Sequence, residues 1–279
     1  MQIFDPKDIK NLFVPDPNSN KGNNGQITII GGSNLFHGAP LLSLVTASRF
    51  VDMVYFSSPE KSVGEVANSI KSKLFSFIWV PWNEVESYIE KSDAILIGPG
   101  LMRYRSEKST EEERLMCDEA CRQSSQMVKK FLTKFPNKKW VIDGGALQVL
   151  EKEWIPRSAV LTPNQKEYKN LFGNMEVSQA SQKYNCTIVY KKPETIVCSS
   201  DKCVIVKGGN AGLTKGGTGD VQAGLTTALL SKNDPFIAGA AASYIIKNTS
   251  DRLFEEVGTA YNADDLANKI PLLLPQLLR

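Results

Sequence analysis

The 279-residue chain holds one histidine, His37, and five cysteines, Cys117, Cys121, Cys186, Cys198 and Cys203. An odd count with no matched C-x-x-C pairs and no flanking histidine does not read as a disulfide framework, so reduced thiols and a cytoplasmic setting are expected. An excess of one charge is also missing: 33 basic residues against 30 acidic ones leave a net +3. That balance argues against a nucleic-acid surface or a membrane tether, and the charges are expected to form solvated faces. No run comes near the roughly 18 apolar residues that would cross a bilayer. The stretch from Met1 to Lys10 mixes two aspartates with two lysines instead of placing a basic cap on an apolar run, so no targeting segment is expected. Repeats, low-complexity tracts and linker-like stretches are absent too, which leaves residues 1–279 as one expected domain.

A hydrophobic content of 42% is enough, at this length, to bury a large core. Short apolar runs alternate with amphipathic stretches, the pattern of a mostly parallel sheet covered by helices on both faces. Gln26 to Ile30 predicts the first strand; it ends at Gly31, Gly32 and Ser33 and gives way to a helix over Ala39 to Val51. Further strands are predicted over Met53 to Phe56, Phe77 to Val80, Ala94 to Ile97, Trp140 to Ile142 and Ala159 to Leu161. Most end in glycine, proline or aspartate, so the carboxyl ends of the strands gather the chemically interesting residues. A long helix is predicted over Ser109 to Phe135, with Ser109 and Glu112 as a capping box. Closely spaced strand-like pieces between Thr187 and Val206, turning at Ser199 to Lys202, predict an antiparallel edge. Helices over Thr218 to Leu230, Pro235 to Phe254 and Asn262 to Lys269 close the chain.

The sharpest local feature is the run from Gly208 to Gly224, which holds Gly208, Gly209, Gly212, Gly216, Gly217, Gly219 and Gly224 out of 20 glycines in the chain. Gly216-Gly217-Thr218-Gly219-Asp220 stands just before a strong helix, where main-chain N–H groups can point into a common hollow and the aligned dipole favours a phosphate. Asp220 is then placed to deprotonate or orient a substrate hydroxyl in line with that phosphate. Taken alone, the same glycines also fit a tight structural connection with Asp220 as an ordinary first-turn acid.

Several separated motifs add to this run in a fixed order. They are Lys21-Gly22 followed by QITIIGGS and Gly38-Ala39; Ile97-Gly98-Pro99-Gly100-Leu101; VIDGGAL from Val141 to Leu147; Leu161-Thr162-Pro163 with Glu167; the glycine run itself; and Ala263-Asp264-Asp265-Leu266 with Ile270-Pro271. Together they resemble the ribokinase-like superfamily and, within it, the ADP- or ATP-dependent NAD(P)H-hydrate dehydratases, over nearly the whole chain. The resemblance implies a three-layer α/β/α fold with a mostly parallel sheet and an antiparallel edge. It also implies a repair reaction, in which a hydroxyl added to the nicotinamide ring of NADH or NADPH is phosphorylated by a nucleotide and then eliminated as phosphate. The substrates would be hydrated NAD(P)H and ADP or ATP, with Mg2+ on the nucleotide phosphates, and relatives of this kind commonly form homo-oligomers.

Carried over residue by residue, the resemblance makes Asp220 the base or hydroxyl-orienting group, with Gly217, Thr218 and Gly219 holding the transferred phosphate. Ala39, Gly100 and Asn164 would border the hydrated dinucleotide. Lys191, Lys192, Pro193, Glu194 and Thr195 match a strand turn that meets the nucleotide's adenosine side, with Lys192 in place of a glycine. Lys215, just before the glycine pair, reads either as an added phosphate contact or as a solvated lysine. Glu167 reads either as an organiser of magnesium-bound water or as an early-helix glutamate, and Asp143 as a metal-linked acid or a turn cap. Asn164 stands where the family pattern has histidine, and Met102 replaces a glycine beside the substrate. An amide cannot change charge near neutral pH, so a superfamily kinase acting on a vitamin precursor or sugar, or a non-catalytic nucleotide binder, stays open beside the dehydratase.

Overall fold

The computed structural model describes residues 1–103 and 119–277. The strands are β1 (Gln2–Ile3), β2 (Gln26–Ile30), β3 (Met53–Ser57), β4 (Ile78–Trp79), β5 (Ala94–Ile97), β6 (Lys139–Ile142), β7 (Val160–Leu161), β8 (Thr187–Tyr190), β9 (Thr195–Cys198) and β10 (Cys203–Val206). The helices between and after them are α1 (Gly38–Ala47), α2 (Lys61–Ile70), α3 (Val85–Lys91), α4 (Glu119–Lys134), α5 (Gly144–Val149), α6 (Gln165–Phe172), α7 (Val177–Tyr184), α8 (Thr218–Leu230), α9 (Pro235–Val257) and α10 (Ala263–Leu277).

All ten strands join one sheet in the order β1-β10-β9-β8-β7-β6-β5-β2-β3-β4. From β4 across to β8 every pairing is parallel, while β8, β9 and β10 run antiparallel to one another. The expected mixed sheet with an antiparallel edge is therefore what the chain forms. Successive side chains of a strand point to opposite faces, and each face has its own core. On β5, Ala94 and Leu96 enter the core beneath α1, α8, α9 and α10, whereas Ile95 and Ile97 enter the one beneath α3 to α7. Val141 on β6 joins the first core, and Trp140 and Ile142 join the second. These nearly continuous apolar runs are legible as strands because both faces are covered.

Three expectations need correction. The pair β1, exposed at both residues, adds a parallel strand outside β10; Gln2 and Ile3 carry no apolar pattern that would announce it. The last helix does not stop at Lys269 but runs on through Pro271 and Pro275. Each proline removes a helix donor, yet Ile270 before them, Leu274 between them and Leu277 after them still pack on the first core. Cys198 and Cys203, expected as reduced thiols, are register partners on β9 and β10 and form a disulfide. A tight hairpin sets such partners face to face, which spacing alone does not disclose. Cys186 stays free and buried, and burial pushes its thiol up to about 12. The Ser109 to Glu112 cap predicted for the long helix lies outside the described residues, but Met127, Val128, Phe131 and Leu132 of α4 are buried as the period predicts. Among the described residues no helix is long and apolar enough to cross a membrane.

Candidate active site

The order of the sheet makes the site. The chain builds outward from β2 through β3 to β4, then returns to β5 on the other side of β2, so the connections leave in opposite directions and open a crevice at the carboxyl ends of β2 and β5. Both strands end in glycine turns because the two turns touch main chain to main chain. Gly32 N donates to Pro99 O at 2.8 Å, and a Cβ on Gly31 would stand 2.2 Å from that same oxygen. Gly98, at φ +126°, leaves room for Asp143 O, which a Cβ would meet at 1.8 Å. Gly100 leans on the start of α1, with Phe36 O 2.7 Å from its Cβ position, and so reaches the neighbourhood of half-buried Ala39. A cavity of about 860 Å³ opens beside the Gly32 turn, with Gly32, Ser33, Trp82, Leu101 and Met102 on one part of its wall and α4 residues such as Gln123, Met127 and Phe131 on another.

The second half of the site is the amino end of α8. Gly217, at φ +93°, is its N-cap residue, and no side chain caps this terminus. The Thr218 hydroxyl turns back to Leu213 O at 2.7 Å and Lys215 O at 2.9 Å. The first-turn N–H groups and the positive end of the dipole are thus left to an incoming anion. A Cβ on Gly216 would meet nothing within 4 Å, and one on Gly219 would meet only the Lys191 Nζ, at 3.3 Å. The loop before the helix is pinned from α9 and beyond: Gly209 N donates to Asp251 Oδ2 at 2.9 Å, and Asn210 Oδ1 accepts from the Tyr261 hydroxyl at 2.8 Å. Helices α1 and α8 cross main chain to main chain at Gly224, where a Cβ would lie 2.4 Å from Ser43 O. Ser43 Oγ completes the contact by donating to Asp220 O at 2.7 Å.

Around Asp220 stands a small cluster of charge. Asp143, at the end of β6, is 3% exposed; its Oδ1 accepts from the Thr162 hydroxyl at 2.6 Å and from Lys191 Nζ at 2.8 Å. It makes no side-chain cap bond to α5, so the turn-cap reading does not describe it. Glu167 is buried in a capping box with Asn164: Asn164 N donates to Glu167 Oε2 at 2.9 Å and Glu167 N to Asn164 Oδ1 at 3.0 Å. Burial first, and Asp143 second, push the Asp220 carboxyl up to about 7, against the pull of Lys191. Burial likewise raises Glu167. Burial alone would lower Lys191, but the carboxylates of Asp143, Glu167 and Asp220 more than offset it and hold the ammonium charged. A half-buried acid poised near neutrality beside an open helix terminus can take a proton from an alcohol.

The remaining predicted residues fall in three places. Asn164 forms a parallel main-chain bridge with Lys191, and its side chain caps α6. Lys192, Pro193 and Glu194 form the β8–β9 turn and Thr195 opens β9, its hydroxyl donating to Lys192 O at 3.3 Å. Lys215 gives its ammonium to the carbonyls of Thr259 at 2.5 Å and Tyr261 at 2.6 Å, a loop-bracing arrangement. His37 Nε2 lies 3.1 Å from Ser62 Oγ.

One residue escaped the sequence altogether. Lys247, 5% exposed on α9, donates to Pro193 O at 2.6 Å and Gly208 O at 2.9 Å, tying the β8–β9 turn to the glycine loop. Its signal was present as a lone cation in the apolar stretch AAASYIIKNTS. Lys247→Met keeps the stem but strands both carbonyls, and is expected to lower stability by about 1–3 kcal/mol; the urea unfolding midpoint measures it. An unchanged midpoint would remove the tie.

Comparison with known proteins places the whole chain. The family model described as NAD(P)H-hydrate dehydratase matches residues 27–272. A bifunctional NAD(P)H-hydrate repair enzyme of Methanocaldococcus jannaschii is 32% identical over 277 residues, covering 96% of this chain and 51% of that protein. The chain spans about half the length of the curated relatives of this kind that it matches. A ribokinase-like superfamily protein of Enterococcus faecalis superposes with a TM-score of 0.81 at 21% identity, covering 99% of this chain and 96% of that one. The ADP/ATP-dependent NAD(P)H-hydrate dehydratase of Bacillus subtilis, co-crystallised with ATP and Mg2+, superposes at 0.77 with 20% identity, covering 99% and 98%. The two superpositions establish a ribokinase-like fold, and the sequence match goes further: the chain belongs to the NAD(P)H-hydrate dehydratase family.

Proposed function

We propose that this chain restores hydrated NADH or NADPH to the normal reduced cofactor at the expense of ADP or ATP. The observation that carries the reading is Asp220: an acid held near neutrality, one residue past Gly219, at a helix terminus that no side chain caps. Hydroxide is a poor leaving group, so the ring hydroxyl first gives its proton to Asp220 as its oxygen takes the terminal phosphoryl group of the nucleotide. The C–O bond then breaks and phosphate departs as the ring nitrogen pushes in its electron pair, and loss of a proton from the neighbouring ring carbon to water or a base moves that C–H pair into the ring double bond and restores the dihydronicotinamide. Gly217, Thr218 and Gly219 hold the phosphoryl group through main-chain donors. Ala39, Gly100 and the wall of the 860 Å³ cavity take the dinucleotide, and the Lys191 to Thr195 turn takes the nucleotide.

For magnesium the residues offer no cage. Among the described residues there is no group of three or more His, Cys, Asp or Glu that could hold a metal ion, and Asp143 Oδ1 and both Glu167 oxygens accept from protein donors. Such a donor set suits a metal carried in on nucleotide phosphates with its waters. With the proposal go a single domain over 1–279, a cytoplasmic setting and a homo-oligomeric assembly.

Purified chain supplied with hydrated NADH, magnesium and either ADP or ATP is expected to recover the absorbance of reduced nicotinamide. No recovery with either nucleotide, together with phosphorylation of a small alcohol, would select a kinase. Nucleotide binding without either reaction would select a non-catalytic relative.

A further inference from the structure

Three neighbouring parallel strands end at the edge of the phosphate hollow, and each delivers one polar side chain: Asp143 after β6, Thr162 after β7 and Lys191 after β8. The three are joined at a single atom. Asp143 Oδ1 accepts from Thr162 Oγ1 at 2.6 Å and from Lys191 Nζ at 2.8 Å, with Thr162 fully buried and Asp143 nearly so. The main chain of Asp143 is fixed as well, its N donating to Ile97 O at 3.1 Å and its carbonyl pressed against Gly98. Lys191 therefore hangs from an anchor with little freedom. Its ammonium ends 3.3 Å from the Cβ position of Gly219, in the turn that faces the open end of α8.

From this geometry, and resting on the function proposed above, we infer that Asp143 is a positioning residue: with Thr162 it holds the Lys191 ammonium over the Gly219 turn, where that charge meets the phosphoryl group. Without the anchor, the ammonium is free to turn to the other nearby carboxylates, Glu167 and Asp220. It would then leave the phosphoryl group and neutralise the acid that must receive a proton. The direction of the Asp220 shift agrees, since Lys191 already draws that carboxyl down from its present value. A glycine at 219 is required on the same grounds, because any side chain there would occupy the space between the ammonium and the main-chain donors.

A double-mutant cycle over Asp143→Asn and Lys191→Met tests this, read in kcat and, separately, in the Kd for ADP with magnesium by calorimetry. Lys191→Met is expected to lower kcat about 100-fold, the usual loss for removing a donor aimed at developing charge. Asp143→Asn, close to isosteric, is expected to lose about tenfold. The double variant should match Lys191→Met alone within about twofold, because Asp143 acts only through the lysine. The same non-additivity should appear in ADP affinity, and Lys191→Arg should recover part of both. Thr162→Val gives a gentler test: a loss of a few fold in the parent that vanishes in the Lys191→Met background. Losses that multiply in the double variant would overturn the inference, whether or not stability also falls. If the parent binds ADP but dehydrates nothing, the functional proposal fails and the binding arm alone decides the role of Asp143. A parent that does not bind ADP overturns both.

Discussion

Asp220→Asn is expected to lower turnover about 1000-fold while leaving ADP affinity within about threefold. The amide keeps the shape of the carboxylate at the first turn of α8 and keeps the Ser43 contact, which uses the main-chain oxygen of residue 220. What it loses is the ability to take a proton. The parent should also show an acid limb in kcat/KM near pH 7, because the acid must be ionised to act as a base and its carboxyl is raised to about 7. Activity is therefore present above that pH and falls as pH drops through it. Asp143 and Glu167 push the limb upward and Lys191 pulls it down, so Asp143→Asn should move it to lower pH. Undiminished turnover in Asp220→Asn would end the assignment, and a limb near pH 4 would mean that the carboxyl is solvated.

The second large effect is structural. Gly98→Ala places a methyl group 1.8 Å from Asp143 O, at a φ of +126° that residues with a side chain seldom adopt. Overpacking against main chain and forced left-handed geometry each cost about 1–3 kcal/mol. Together they should remove about 3–5 kcal/mol of stability, read as a drop in the urea midpoint. The displaced carbonyl belongs to the residue that anchors Lys191, so activity should fall further than the population of folded protein does. A variant that unfolds like the parent would show that the ends of β5 and β6 are not packed as described.

The fold was legible because its signal is local. Ala94 to Ile97 and Trp140 to Ile142 are apolar on consecutive positions, which only a strand buried on both faces requires, and glycine or aspartate ends each run. The glycine run before α8 was legible for the same reason: it lies in one continuous stretch. Relations between distant residues were not. Nothing in the neighbourhood of Lys191 points to Asp143, 48 positions earlier, and nothing near Pro193 points to Lys247. These pairs exist because parallel strands bring their carboxyl ends into line, a property of the sheet order rather than of any segment. Short helices such as α5 and α6 escaped for a different reason, having too few turns to show a period. The sequence also left two roles for Glu167, and the capping box with Asn164 accounts for the residue as part of the main-chain frame of α6.

The contact between Ser43 and Gly224 bears on how the family could change what it accepts. In the proposed mechanism α1 borders the dinucleotide and α8 brings the acid, and at Gly224 the two cross main chain to main chain, so no side chain at that crossing can be traded for a longer or shorter one. On that reading the spacing of the two helices at this crossing is set by the polypeptide itself. A larger or smaller alcohol has to be accommodated on the opposite bank, at Leu101 and Met102, where side chains do form the lining.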